Sequence, residues 1–480
     1  MCHILGIGRS VDDCTKIYQE PIEEDFPKEV PPAYFQSLVI SGVKCFRQEV
    51  LLSFLRPDGR VAQWTVILGE NGVGKTTVLE CLAGLSVMPR RDRAKEMRPV
   101  VLPLMASTIF SRADLPHRSN RDSGKWAAAC TSKVAVGDLL AGAGASASET
   151  VGWHWATKKE ESDPQKIHIE IGDPTVLGGL RCYGYGAGRR MATTSRLPYA
   201  NSPEDMTRTL TGDDQPLINA EEWLLELDHL AEKEGRSKET WAEQQLNSIK
   251  ELLIKVLPDV NDIRIVVKDG DSIPESTVRA EFKTSFGWVT VDQLSFGYQT
   301  IVSWLVDLTR RLYQRYPRSS NPLAEPAIVL IDEIDLHLHP RWQQSVMDYL
   351  SERFTNTQFI VSAHSPLIVQ SNEAANLILL QREGDHVVAR QDLDSVKEWR
   401  VDQILTSDLF GLDRTRRPEI ERLYDERSGL LAQTELTPQD RARIEELNRA
   451  IHELPTAETK EMREVESLLR SVASEHQVKK

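Results

Sequence analysis

The sequence predicts an α/β fold with two lobes, one mixed β and one parallel α/β, carrying a short helical insertion and a helical tail. Three observations support that expectation. A glycine-rich turn, Gly69–Thr76, lies between the apolar run WTVIL and a helical pattern. A second apolar run, Ala327–Ile331, ends in two acids. Around and after it, strand-like and helix-like stretches alternate, the succession that builds a covered parallel sheet.

Taken in order, residues 1–33 are acidic and proline-bearing and read as an extension. From Tyr34 the runs FQSLVISGVKCF, EVLLSFL and WTVIL read as strands and Lys75–Leu85 as a helix, giving a first lobe over 34–105. Residues 106–284 form an insertion in which AGAGASASET (141–150) reads as a small-residue loop. Alternation returns at VGWHWAT, KIHIEIG and LRCYGYG. A helix at Asn219–Glu234 opens with Asn219 and Glu222 in capping-box spacing, and a second at Ser237–Leu257 stops at Pro258. At 1.5 Å per residue these reach only roughly 25–30 Å, a lid rather than a long arm. The second lobe, 285–391, holds a helix at Gly297–Tyr316, the strand AIVLID, a helix at Arg341–Phe354, the strand QFIVSA and the short strands LILLQ and HVVAR. Residues 392–480 are charged and helical in pattern, a candidate docking region for a partner.

Composition narrows the function classes. The chain has 480 residues, 40% hydrophobic, enough for several packed units. Fifty-eight basic residues against 72 acids give a net charge of −14, which argues against a surface coated for nonspecific nucleic-acid binding. Two local basic clusters remain, Arg90–Arg98 and Arg310–Arg318. The six cysteines include no CxxC pair, which removes zinc ribbons. No apolar run approaches a membrane span and no secretory leader is evident, so the expectation is a cytoplasmic protein without membrane contact.

Chemistry concentrates in three motifs. The run Gly69, Glu70, Asn71, Gly72, Val73, Gly74, Lys75, Thr76, Thr77 fits GxxxxGK[ST] between strand and helix. Its glycines let backbone N–H groups turn inward around phosphates, Lys75 supplies a charge to the β and γ oxygens, and the helix start adds its positive end. The Thr76 hydroxyl suits Mg²⁺. In the second motif Asp332 would hold Mg²⁺ and Glu333 would orient and deprotonate the attacking water. The third, Leu294-Ser295-Phe296-Gly297-Tyr298-Gln299, stands directly ahead of a helix.

In this order the motifs resemble the ATP-binding-cassette (ABC) ATPases, P-loop proteins in which the LSxGxQ signature contacts ATP bound to a second subunit. The resemblance implies a two-lobed ABC ATPase head with ATP and Mg²⁺ as its ligands. It makes Ser295 and Gly297 the contacts to a partner's γ-phosphate, places Asp335 in the D-loop, and makes His364 the switch histidine. Lys75, Glu333 and His364 become the catalytic set, and Thr76 and Asp332 the metal ligands. The wording ILGENGVGKTT and IDEIDLHLHPRWQ is similar to the SMC/RecF-like and OLD-like branch, without the long coiled-coil arms of SMC proteins. His337 and His339 then belong to the stretch after the D-loop rather than to a metal site. Phe46 and Arg47 are candidates to approach the adenine. Arg189, in YGYGAGRR, either faces nucleotide or a partner or holds a structural turn.

Compact heads with DEIDLHLHPRW and a tail containing WRVDQILTSDLFGL resemble the Septu-type and retron-associated ATPases of anti-phage systems. That resemblance implies a homodimer or higher oligomer through ATP-sandwiched heads, an HNH-type nuclease as partner, and in retrons a reverse transcriptase with its RNA–DNA. Asp392-Leu393-Asp394 reads as a loop rather than part of a Toprim nuclease, so a nuclease is expected on another chain. Two rival readings remain: a RecF-like repair ATPase clamping DNA through one of the basic clusters, and an ATP-binding scaffold with little turnover.

Overall fold

The computed structural model describes residues 31–91, 97–101, 128–137, 147–156, 166–171, 179–192, 206–210, 216–235, 240–268, 277–391, 393, 399–407, 418–432 and 437–452. The expected extension up to residue 30, the 141–146 loop, Asp392 and Asp394 lie outside them. The chain divides into two compact units, Met1–Ile404 and Leu405–Lys480.

In the first unit the strands run β1 (Ala33–Ser41), β2 (Val50–Ser53), β3 (Trp64–Gly69), β4 (Val87–Arg91), β5 (Met97–Val101), β6 (Ala128–Val136), β7 (Ala147–Ala156), β8 (Lys166–Ile171) and β9 (Cys182–Tyr185). They continue as β10 (Asp262–Lys268), β11 (Thr277–Thr284), β12 (Gly287–Thr290), β13 (Ala327–Ile331), β14 (Thr357–Ser362), β15 (Asn376–Glu383) and β16 (His386–Arg390). The helices are α1 (Lys75–Gly84), α2 (Ala220–Lys233), α3 (Trp241–Val256), α4 (Phe296–Arg315), α5 (Pro340–Gln343), α6 (Val346–Arg353) and α7 (Pro366–Val369), while α8 (Val401–Thr406) crosses the division at Ile404.

The site is positioned by a six-stranded sheet ordered β16-β15-β3-β14-β13-β9. All its neighbours pair in parallel except β15 with β16. Central strands β13 (AIVLI) and β14 (TQFIVS) are buried at every residue, and β3 at all but its last. That is why they read as continuous apolar runs, since a parallel sheet is covered on both faces. Edge strand β16 instead buries only Val387, its other residues being half-buried or exposed. Register aligns the carboxyl ends: Ile67 pairs with Ser362, Ile331 with Val361, and Ile331 also with Tyr185. The turns that follow β3, β13, β14 and β9 therefore emerge side by side, at the edge where parallel α/β sheets bind ligands.

A second sheet, β2-β1-β6-β7-β8, is antiparallel throughout. Residues Ala147–Thr150, expected as the end of a loop, pair with β6 as the first part of β7. Helix α1 lies in the apolar core that both sheets share. Phe35, Leu38 and Ile40 of β1 cluster with Val78, Leu79 and Leu82 of α1 and with Ile67, Leu330 and Ile360 of the parallel sheet. All residues of α1 except Thr76 and Glu80 are buried there.

Asn219 caps α2 as its spacing predicts, its Oδ1 accepting from Glu222 N at 3.2 Å. The expected single helix at Arg341–Phe354 is two pieces. Ser345 N bonds back three residues to Trp342 O, a tighter turn that separates α5 from α6. The basic cluster Arg310–Arg318 is largely internal: Arg310 and Arg311 are 7% and 6% exposed, and Arg311 Nε pairs with Asp307 at 2.7 Å.

The second unit holds α9 (Pro418–Leu431) and α10 (Pro438–His452), which pack as a pair. Arg443 of α10 joins them through Glu426 at 2.7 Å. Among the described residues no helix is long and apolar enough to cross a membrane.

Candidate nucleotide site

Before α1 the backbone makes a turn suited to glycine. Gly69, Gly72 and Gly74 have φ of 142°, 80° and 94°, where a Cβ is penalised. Space demands glycine as well: a Cβ on Gly69 would lie 2.5 Å from the Leu380 carbonyl oxygen, and one on Gly74 2.5 Å from Cys45 Sγ. Phe46 is fully buried against Gly74, so it supports the loop from inside the core and has no exposed face to offer a base. Arg47 is paired with Asp385 at 2.7 Å.

Glu70, Asn71 and Gly72 form the exposed crest of the loop, while Val73 and Thr77 turn into the core. Lys75 Nζ donates to the carbonyls of Gly69 and Glu70, each at 2.8 Å, so the ammonium spans the loop it follows. Burial pulls its pKa below the ordinary lysine value, while Asp332, Glu333 and Asp335 pull the other way. With the unpaired N–H groups of the first helical turn, this is a concentrated positive site for an anion.

The acids arrive on the neighbouring strand β13. Thr76 Oγ1 donates to Asp332 Oδ2 at 2.8 Å. Ser362, at the end of β14, donates to Asp332 Oδ1 at 2.5 Å and accepts from Glu333 N at 2.7 Å. Glu333 has φ of 49°, a left-handed conformation that costs a non-glycine residue roughly 1–2 kcal/mol. Its Oε1 stands 3.9 Å from His364 Nε2, and both side chains are about one-third exposed. Asp335 Oδ2 accepts from His364 N at 3.0 Å, which ties the loop after β13 to the loop after β14. Gln343 Nε2 donates to the carbonyls of Asp335 and Leu338, and Ser365 Oγ donates to Gln343 Oε1.

The signature turn has a different setting. Ser295 caps α4, accepting from Tyr298 N at 3.4 Å. Gly297 packs so closely that a Cβ there would lie 2.3 Å from the His337 carbonyl oxygen. Phe296 is 58% exposed and meets the His337 ring edge-on, with centroids 4.8 Å apart. His339 caps α5 through Nδ1, which accepts from Arg341 N.

Contacts and charge thus join Lys75, Thr76, Asp332, Glu333 and His364 at one sheet edge, whereas the signature turn meets the loop after β13 where Gly297 and Phe296 pack on His337. Sequence reading missed Ser362. Its signal was a hydroxyl at the end of the strand beside the acid-ending one, two residues before His364. Arg189 proves to be buried, its NH1 donating to Asp332 O at 2.6 Å and its NH2 to Glu333 O at 3.0 Å.

Comparisons with known proteins show what the chain is similar to. Residues 217–370 match the family described as "AAA domain, putative AbiEii toxin, Type IV TA system", and residues 37–86 match an "AAA domain". A Septu protein PtuA of Bacillus mycoides (strain KBAB4) is 26% identical over 422 residues, 87% of this chain and 50% of that protein. A retron Ec83 probable ATPase of Escherichia coli is 40% identical over 116 residues, 24% of this chain and 21% of that protein. The chain therefore spans half or less of the length of these two relatives. Among solved structures, an Smc head bound to the C-winged helix domain of ScpA superposes with a TM-score of 0.41 at 14% identity, covering 75% of this chain and 99% of that one. With its glycine-rich loop, acid-ending strand and His364 assembled at one sheet edge, the chain has a P-loop ATPase fold carrying two AAA-domain matches and is similar to Septu protein PtuA and a retron ATPase.

Proposed function

We propose that this chain binds ATP with Mg²⁺ and hydrolyses it to ADP and phosphate as part of an anti-phage defence complex. The observation that carries the enzymatic reading is the bond between Thr76 and Asp332, 256 residues apart in sequence and 2.8 Å apart in space. A hydroxyl and a carboxylate oxygen are hard donors of the kind Mg²⁺ takes, so the residues fit the ion. When bound, Mg²⁺ supplies positive charge to the phosphate oxygens. Loop N–H groups and Lys75 hold the phosphates. The Glu333 carboxylate accepts a proton from the attacking water as the β–γ phosphoanhydride breaks, and His364 lies beside it to sense the γ-phosphate.

Exposure of Ser295 and Phe296 beside the buried Gly297 supports a dimer in which Ser295 and the Gly297 backbone of one copy meet ATP held by the other. Similarity to a Septu PtuA over 87% of this chain supports the defence role. In that role closure of the heads restrains or releases a separate nuclease, of the HNH type, with a reverse transcriptase and RNA–DNA added in a retron setting. The direct DNA clamp has less support, because burial of Arg310 and Arg311 removes half of one of its two basic clusters.

Calorimetry and turnover on Glu333→Gln test the enzymatic reading. ATP binding is expected to persist and turnover to fall by roughly 100- to 10,000-fold. Turnover near that of the wild type would show that Glu333 is not the base, and unchanged biological activity with turnover so reduced would favour the scaffold. Affinity purification of the tagged protein from its native cell tests the complex. A stoichiometric nuclease is the expected companion; duplex DNA with repair proteins would move the reading to the clamp.

A further inference from the structure

Glu333 must point a carboxylate at a water while its own backbone holds a conformation that side-chain-bearing residues avoid. Such a conformation persists only where the surroundings over-determine it. Here both strands flanking β13 take part. On the β14 side, Ser362 Oγ accepts from Glu333 N at 2.7 Å. On the β9 side, pairing of Tyr185 with Ile331 brings the following turn, Gly186–Arg189, beside Asp332 and Glu333. Arg189 N and NH1 both bond the Gly186 carbonyl, at 3.1 and 2.9 Å, which folds the turn back on itself. Its remaining reach goes to the Asp332 carbonyl at 2.6 Å and the Glu333 carbonyl at 3.0 Å.

We propose that Arg189 is a positioning residue for ATP hydrolysis, its guanidinium fixing the left-handed backbone at Glu333 and so aiming the Glu333 carboxylate. This rests on the ATPase reading above. Each hydrogen-bond acceptor of Arg189 among these contacts is a backbone carbonyl. The carboxylates of Asp332 and Glu333 thus remain available for metal and water, where a direct ion pair would occupy them. Burial lowers the Arg189 pKa to about 10, and the negative charges of Asp332, Glu333 and Asp335 oppose that fall, so the group is a cation at neutral pH. Lysine could supply the charge but not a planar fork that reaches consecutive carbonyls together.

The test compares wild type, Arg189→Lys, Glu333→Gln and the double variant, measuring ATP Kd by calorimetry, kcat and KM at steady state, residual hydrolysis in single turnover, and Tm. With Arg189→Lys, kcat should fall about 100-fold, as expected when a reacting group is misplaced by an ångström, while Kd and KM stay near wild type. Adding Arg189→Lys to Glu333→Gln should cost no further turnover, because both act through one carboxylate. Unchanged kcat in Arg189→Lys overturns the proposal. So does a drop in ATP affinity and Tm that parallels the drop in kcat, which would mark a purely structural role. Losses that multiply in the double variant also overturn it. A wild-type protein that neither binds nor hydrolyses ATP refutes the underlying ATPase reading instead, an outcome the wild-type controls separate from the others.

Discussion

The phosphate-loop half of the site and the signature half are built on opposite principles. Around α1 and β13, side chains close on one another. Lys75 spans its own loop, Thr76 and Ser362 hold the Asp332 carboxylate, and Asp335 ties down the His364 backbone. At the start of α4 the chain turns outward. Ser295 caps its own helix through Tyr298 N, and Phe296 leaves more than half of its surface exposed beside His337. The first half is positioned entirely by this chain, which is what binding a nucleotide requires. The second is a surface feature, held by Gly297 against the His337 carbonyl.

Substitutions can break or sharpen that contrast. The largest effect is expected from Glu333→Gln: turnover should fall by roughly 100- to 10,000-fold, the usual contribution of a general base, while calorimetric ATP affinity is retained. Lys75→Ala should weaken ATP binding by about 10- to 100-fold, consistent with loss of a charged hydrogen bond, and equal affinity would contradict the self-contained half. Gly297→Val attacks the outward half, because its Cβ would meet the His337 carbonyl at 2.3 Å. ATP binding by the substituted chain should survive while turnover is lost. Mixing it with Lys75→Ala protein should restore part of the turnover, since a mixed pair keeps one site with an intact loop and a facing intact signature. No restoration would place the signature's action within one chain. The smallest effect belongs to Asn219→Ala, far from the chemistry in sequence. Removing that cap should cost about 1 kcal/mol in denaturant unfolding and leave kcat unchanged.

Local rules made part of this protein legible without coordinates. The glycines of 69–74 announce a turn because few other residues tolerate those dihedrals, and Asn219 announces a helix start because its side chain satisfies an N–H three residues on. The runs WTVIL and AIVLID announce central strands because two-sided burial leaves no polar alternation. Burial of Arg310 and Arg311 was illegible. Their charge suggests surface, and only the packing of α4 with Asp307 in reach reverses that. Likewise, AGAGASASET gives no strand signal, yet its last residues pair with β6 because a neighbouring strand supplies the hydrogen bonds.

The same division runs through the site. Lys75, Thr76, Asp332 and Glu333 could be named from sequence, because each is fixed by a short stretch of chain with its own turn or strand-end chemistry. Their mutual distances, the Ser362 bridge and the Arg189 clamp on the Glu333 carbonyl depend on β9 and β14 flanking β13 in register. Strand order is a long-range property, and no local pattern encodes which distant segment will stand at a strand's shoulder.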